Sequence, residues 1–287
     1  MRALVRTALA EDRVDADVTT IALFPRRVPA TAHVVAQARG VVSGMPVATA
    51  VARAAHLRVS AARRDGDRVT AGTKVLTLHG DVRRILGVER TMLNFLMHLS
   101  GVATATRRAV DRAGRGPRAL EVLATRKTLP GLRDLEKGAV ADGGGHPHRR
   151  DLADLVLVKN NHLAFVPVPE AVRRARGSVG AHRAVQVEVR TIHEALDAAR
   201  AGADALLLDN RTPAQVRAIV RALESAGLRR RVRIEISGGL TAASLPRYRR
   251  TGADAASLGS LTHSAPALPF HLVVEPAALR ARPRHSR

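Results

Sequence analysis

The chain predicts an α/β fold: an incomplete, TIM-like α/β barrel joined to a small N-terminal α/β sandwich domain. Three observations predict it. From about residue 120 onward, short apolar runs alternate with amphipathic stretches, the pattern of βαβ units and a parallel sheet. The first hundred residues have another rhythm, with strand-like runs between glycine-marked turns. Hydrophobic residues make up 46% of 287 residues, enough to bury a barrel-sized core. The expected division is residues 1–105 for the sandwich, 106–266 for the barrel, and 267–287 for a C-terminal segment returning to the N-terminal domain.

The N-terminal elements are justified in turn. Thr31 to Ala36 reads as a strand and leads to turns at Gly40 and Gly44. Met45 to Leu57 is alanine-rich and helical in character. Asp65-Gly66 is a turn signal between apolar segments, so the flanking strands are expected to fold back on each other. Arg68-Val69 and Lys74 to Leu78 are the strands that follow. From Leu86 to about Ala113 the pattern becomes helical, with Leu93, Leu96, Leu99 and Val102 at three-residue steps.

The barrel runs are 120–123, 155–158, 185–189, 205–208, 232–236 and 255–258. Helical stretches are expected at 169–176, 192–201, 213–226 and 242–250. A doubly wound open sheet is the alternative, but no glycine-rich dinucleotide fingerprint follows the first run. Phe270 to Val274 forms a last strand-like run before a basic end.

Composition excludes several functions. Cysteine is absent, so disulfides, thiolate metal sites and cysteine nucleophiles are excluded. No apolar run approaches the roughly 18 residues of a spanning helix. The first twenty residues lack the apolar core of a signal peptide, so a cytoplasmic protein is expected. The net charge of +22 invites a polyanion partner. Aromatic residues, however, make up only 2% and offer no base-stacking platform, so nucleic acid is not the expected partner. Only four of the 47 basic residues are lysine, and Lys127, Lys137 and Lys159 fall close together. Lysine is a compact point charge that arginine cannot imitate in a tight site.

The unusual polar residues gather at the carboxyl ends of the predicted strands, where barrel enzymes place their chemistry. They are Thr125-Arg126-Lys127, Lys159-Asn160-Asn161-His162, Glu188, Asp209-Asn210, Ser237-Gly238-Gly239 and Gly259-Ser260. Arg126, Lys127, His148, Arg149 and Lys159 form a cationic set suited to several negative charges. The small residues at Ser237-Gly238-Gly239 and Gly259-Ser260 let backbone N–H groups approach an anion such as phosphate. Glu188 and Asp209 suit Mg²⁺ or ribose hydroxyls. Plainer readings stand beside these: a glycine pair as a turn, Glu188 as an interior ion pair, Asp209 as a helix cap. The remaining histidines singled out (His33, His56, His79, His98, His182 and His193) carry no assignment.

These residues carry a resemblance. Glu89 to Leu96, Leu99 to Thr104, Thr125-Arg126-Lys127-Thr128 and Pro130 to Arg133 closely resemble quinolinate phosphoribosyltransferases. So do Gly143-Gly144-Gly145 with His148-Arg149, then Lys159 to His162, Val187-Glu188-Val189, Leu208-Asp209-Asn210, Ser237-Gly238-Gly239 and Leu261 to Ser264. The likeness spans Glu11-Asp12 to Ser264. It implies transfer of phosphoribose from phosphoribosyl pyrophosphate to quinolinate with decarboxylation, in NAD biosynthesis and with Mg²⁺. The alternative is a paralogue with another acid substrate or weakened activity. It also implies a homodimer in which Arg90 is donated to the neighbouring active site. Arg126, His148, Arg149 and Lys159 would line the quinolinate pocket, with Lys127 contacting either substrate. Glu188 and Asp209 would serve ribose and metal. Ser237, Gly238, Gly259 and His263 would cradle phosphate. Lys127, Glu188 and Asp209 would be catalytic.

Three positions depart from that pattern. Ala16 stands where a glycine is expected, at a cost of about 1 kcal/mol if the turn needs a positive φ. Asn160 and Arg190 replace acidic residues. Arg190 is expected on the face of Glu188, as its ion-pair partner or as an added anion contact.

Overall fold

The computed structural model describes residues 1–116, 119–180 and 182–276. The chain divides into two compact units. One combines Met1–Thr104 with the segment from Pro266, and the other is Ala105–Ala265. Among the described residues no helix is long and apolar enough to cross a membrane.

The first unit opens with helices α1 (Arg2–Glu11) and α2 (Val18–Leu23). Strands β1 (Pro29–Ala36) and β2 (Gly40–Val41) lead to α3 (Met45–Ala54). Then come β3 (Arg58–Ala61), β4 (Arg68–Val69), β5 (Lys74–Asp81) and the long helix α4 (Val82–Ala113). The main sheet is antiparallel with order β12-β1-β5-β3, where β12 is Phe270–Pro276. The chain thus returns after the second unit to pair with its own first strand, and the Leu268 N–H bonds the Met97 carbonyl on the way. Ile85, Met92, Leu93, Leu96, Leu99 and Val102 are buried, so the three- and four-residue spacing in α4 is its core face.

Two N-terminal expectations change. Asp65-Gly66 does not join a hairpin. Its flanking strands enter different pairs, β3 with β5 and β4 with β2. Gly66 has the positive φ its turn needs, and the Asp65 carboxylate accepts the Met45 N–H at the start of α3. Ala16 ends a 3-10 turn and is not among the positive-φ residues. The left-handed residue is Arg13, so the expected cost does not fall on Ala16.

The second unit is a parallel six-stranded sheet ordered β6-β11-β10-β9-β8-β7. Its elements are β6 (Glu121–Leu123), α5 (Arg133–Asp142), β7 (Val156–Val158), α6 (Asn160–Leu163), α7 (Val168–Val179) and β8 (Val185–Val189). They continue with α8 (Ile192–Arg200), β9 (Ala205–Asp209), α9 (Pro213–Ser225), β10 (Arg233–Ser237), β11 (Ala255–Ser257) and α10 (Ser260–His263). A bridge from His146 to Leu123 extends the sheet beyond β6, and β7 is the opposite edge. The helix starts are chemically marked. Thr191 caps α8 through the Glu194 N–H, and Thr212 and Gln215 form a reciprocal capping box before Pro213 of α9. Residues 242–250 form no α-helix, only a 3-10 turn at Leu245–Arg247. Pro246 has no N–H to give a helix interior and disfavours helical backbone at the residue before it.

Register decides what each sheet face carries. Glu188 and Glu235 both lie opposite Leu207, Ser237 opposite Asp209, and Leu157 opposite Gln186. With a side-chain period of two, Gln186, Glu188, Asp209, Glu235 and Ser237 share one face. Val187, Leu206, Leu208, Ile234 and Ile236 occupy the other and are fully buried.

Candidate active site

The polar face meets the carboxyl ends of the strands in the second unit. After β6 the chain turns through Thr125, whose hydroxyl accepts the Lys127 N–H at 3.0 Å. Thr262 donates its hydroxyl to the Lys127 carbonyl at 2.6 Å, tying this loop to the one after β11. A Cβ on Gly259 would lie 2.8 Å from the Lys127 side chain and 3.0 Å from His263 Nε2. Lys127, Gly259 and His263 are therefore brought together only because residue 259 has no side chain.

A cationic cluster forms beside this loop. Arg126 is half-buried and its Nε has no hydrogen-bond partner. Arg149 is buried, and burial followed by the Arg126 charge depresses its guanidinium below its ordinary value. Lys137, on α5, is 5% exposed and donates to the Pro147 carbonyl. Burial first, then the charges of Arg133, Arg149 and Arg126, lower its pKa to about 8, against the pull of Asp154. Lys159 is exposed, at a turn fixed by its N–H bonding His162 Nδ1 at 2.8 Å.

Two carboxylates lie at the carboxyl ends of β8 and β9. Asn160 Nδ2 donates to Glu188 Oε1 at 2.6 Å, and Asn210 Nδ2 donates to Asp209 Oδ2 at 2.7 Å. Each carboxylate is thus held by one asparagine amide. Asn210 is left-handed, with its N–H on the Ser237 carbonyl at 2.9 Å. A Cβ on Gly238 would lie 2.6 Å from the Asn210 backbone nitrogen, so the loop after β10 closes on the loop after β9 only with glycine.

Arg190 does not pair with Glu188. Its guanidinium and its N–H both bond Glu194, at 3.1 and 2.6 Å. It lies one residue past the end of β8, where strand alternation no longer sets its direction. Arg90 lies exposed on α4 in the first unit. Gly143 caps the end of α5, and Gly145 donates its N–H to the Val140 carbonyl, so the triple glycine is a helix-terminal turn.

Sequence reasoning missed Lys137 and Glu235. Lysine scarcity marked Lys137 without giving it a role. Glu235 had a quieter signal, a carboxylate between Ile234 and Ile236 in an apolar strand. It is 5% exposed. Burial pushes its carboxyl up, but hydrogen bonds from His148, Ser257 and Gln186 outweigh this and hold it below the ordinary range.

The donor set can be tested against a divalent cation. Among the described residues no group of three or more His, Asp or Glu side chains converges on one point. Glu188 and Asp209, at the ends of adjacent strands on one face, remain. Magnesium is commonly held by one or two carboxylates together with substrate phosphates and water, and two carboxylates fit that mode.

Comparison with known proteins places the whole chain. A family profile described as quinolinate phosphoribosyl transferase, C-terminal domain, matches residues 102–273. The corresponding N-terminal domain profile matches residues 17–100. The chain is 42% identical over 266 residues to a probable nicotinate-nucleotide pyrophosphorylase (carboxylating) of Methanothermobacter thermautotrophicus, covering 92% of this chain and 95% of that one. It is 39% identical over 245 residues to the nicotinate-nucleotide pyrophosphorylase (carboxylating) of Rattus norvegicus, covering 85% and 81%. The crystal structure of NadC from Streptococcus pyogenes superposes with a TM-score of 0.88 at 37% identity, covering 96% of each chain.

Proposed function

The chain belongs to the quinolinate phosphoribosyl transferase family, and on that premise we propose how its own residues divide the family's reaction. The reaction moves phosphoribose from phosphoribosyl pyrophosphate to quinolinate and yields nicotinate mononucleotide, pyrophosphate and CO₂ in NAD biosynthesis. The observation that carries the assignment is the crowding of Arg126, Arg149 and Lys137: behind burial, the Arg126 charge lowers Arg149, and the Arg133, Arg149 and Arg126 charges lower Lys137, against the pull of Asp154 on both and of Glu235 on Arg149. A dianionic acid relieves that repulsion, and guanidinium groups bind carboxylates in bidentate fashion.

Arg126 and Arg149 receive the two carboxylates of quinolinate. Lys159 adds a third cation at the rim, and His148 shapes the same wall. Lys127 stands between the acid pocket and the Gly259–His263 loop and can reach either substrate. Ser237, Gly238, Gly259 and His263 take the phosphate of the donor, as loops after the last strands of such barrels commonly do. Glu188 and Asp209 face the ribose and, with Mg²⁺ bound, hold that ion. The ion supplies neutralisation of the negative charge that develops on departing pyrophosphate.

The ring nitrogen of quinolinate forms the new bond to the ribose carbon as the bond to pyrophosphate breaks. In this reading the charges of Glu188 and Asp209 stabilise the cationic sugar carbon. Once ribosylated, the positive ring accepts the electron pair of the adjacent C–carboxylate bond. CO₂ leaves and a proton takes its place on the ring. The protein supplies position and charge, and no covalent nucleophile is needed. Arg90, on the long helix of the first unit, is assigned to the active site of a neighbouring copy in a homodimer.

The test is turnover of the purified protein with quinolinate, phosphoribosyl pyrophosphate and Mg²⁺, following nicotinate mononucleotide, with nicotinate as a parallel substrate. Product from quinolinate alone is expected. Product from nicotinate alone moves the chain to a sister activity, and silence with both from a folded protein defeats the assignment.

A further inference from the structure

Glu235 takes no part in the roles assigned above, yet it gathers donors from three parts of the second unit. Its Oε2 accepts the Gln186 amide at 2.8 Å and lies 3.2 Å from His148 Nε2, and Ser257 of β11 bonds the same carboxylate. Almost none of it is exposed.

His148 is the key to what this network does. Its φ is +53°, a backbone conformation uncommon for a residue with a side chain. In that conformation the Arg149 N–H lies 2.6 Å from His148 Nδ1. A backbone N–H can only donate, so Nδ1 accepts and carries no proton. The ring proton then sits on Nε2 and points to Glu235. Both ring nitrogens are consumed by the protein, leaving neither to grip a substrate. On the other side of the turn, Lys137 holds the Pro147 carbonyl from α5. Two buried charges of opposite sign thus hold Pro147-His148-Arg149, and the residue this turn presents is the buried Arg149.

We propose that Glu235 is a positioning residue of the acid pocket: it fixes the tautomer and direction of His148, and through that turn it aims the Arg149 guanidinium at a carboxylate of the acceptor. The proposal rests on the assignment of Arg149 to acid binding. It separates two roles that adjacent residues would otherwise share. Arg149 touches the acid, while His148 and Glu235 act through it.

Two measurements test it. The first needs no substrate. Long-range proton–nitrogen correlation spectra of the histidine-labelled wild type at neutral pH should show His148 neutral, protonated at Nε2 and unprotonated at Nδ1. A proton on Nδ1, in either the other tautomer or the imidazolium, overturns the proposal. The second is calorimetric titration of quinolinate and, separately, phosphoribosyl pyrophosphate into the wild type and Glu235→Gln. Quinolinate affinity should fall about tenfold while donor affinity stays within twofold, and adding Glu235→Gln to His148→Gln should cost less than twofold more. Equal quinolinate binding by the wild type and Glu235→Gln refutes the positioning role, as does a parallel loss for both ligands. No quinolinate binding by the wild type instead refutes the acid assignment, and the tautomer result still stands apart from it. Should Glu235→Gln fail to fold, the wild-type tautomer and the acid-selective loss in His148→Gln decide the matter.

Discussion

Gly238→Ala combines two penalties that its neighbour separates. Residue 238 has φ of +88°, and a Cβ there falls 2.6 Å from the backbone nitrogen of Asn210. A left-handed alanine costs roughly 1–2 kcal/mol. Forcing a methyl against backbone that cannot rotate away adds about 1–3 kcal/mol. The sum is about 2–5 kcal/mol. Residue 239 is also left-handed, with φ of +57°, but the nearest atom to its Cβ is Asn210 Oδ1 at 4.0 Å. Gly239→Ala therefore has only the conformational cost of roughly 1–2 kcal/mol. For a unit of this size each kcal/mol moves the melting temperature by roughly 2–4 °C. Calorimetric melting should show Gly238→Ala lowered by on the order of 4–20 °C and Gly239→Ala by about 2–8 °C. The functional effect follows the same contact. Displacing Asn210 loosens its 2.7 Å bond to Asp209, so Gly238→Ala should weaken phosphoribosyl pyrophosphate binding on the order of tenfold, read by titration with Mg²⁺. Equal melting shifts for the two variants would refute the reasoning, because the close approach at 238 would then have no energetic weight.

Lys137→Met should change how stability depends on pH. The folded lysine titrates near pH 8, below its ordinary 10.5. Below pH 8 both states hold the proton. Between 8 and 10.5 the unfolded chain holds more protons, so wild-type stability rises with pH, by about 2 kcal/mol from pH 8 to 10. Urea denaturation should show that rise in the wild type and its loss in Lys137→Met. Arg190→Ala removes an exposed pair with Glu194 and should change stability by less than about 0.5 kcal/mol. Donor affinity should stay within twofold, and a tenfold loss would restore Arg190 to the site. Asn160→Ala strips Glu188 of its 2.6 Å amide donor and should lower affinity for the Mg²⁺-loaded donor on the order of tenfold, with quinolinate affinity held. Titration of each ligand separates the two effects.

The alternation of apolar strands and amphipathic helices was enough to place β8 at its observed bounds and α8 and α9 within a residue of theirs. Burial of one face against a core imposes a period on the sequence itself. The same alternation put Glu188, Asp209 and Ser237 at strand ends. Polar type against an apolar strand was likewise a local signal, and the ordered motifs identified the family. Local pattern could not say which strands pair across Asp65-Gly66, nor that Pro246 reduces a helix to one turn. Arg190 took Glu194 as partner because the next helix begins there, something spacing along β8 does not contain. Glu235, Gln186, Ser257 and His148 come from four separate stretches of chain and meet only when parallel strands are set in register. The sequence by itself determined which chemistry is present and at which ends of which elements it lies, because periodicity and side-chain type are local. Tertiary structure alone decided which groups satisfy one another and which stay free for a substrate, because hydrogen bonds and charges act over a few ångströms between residues that the chain keeps far apart.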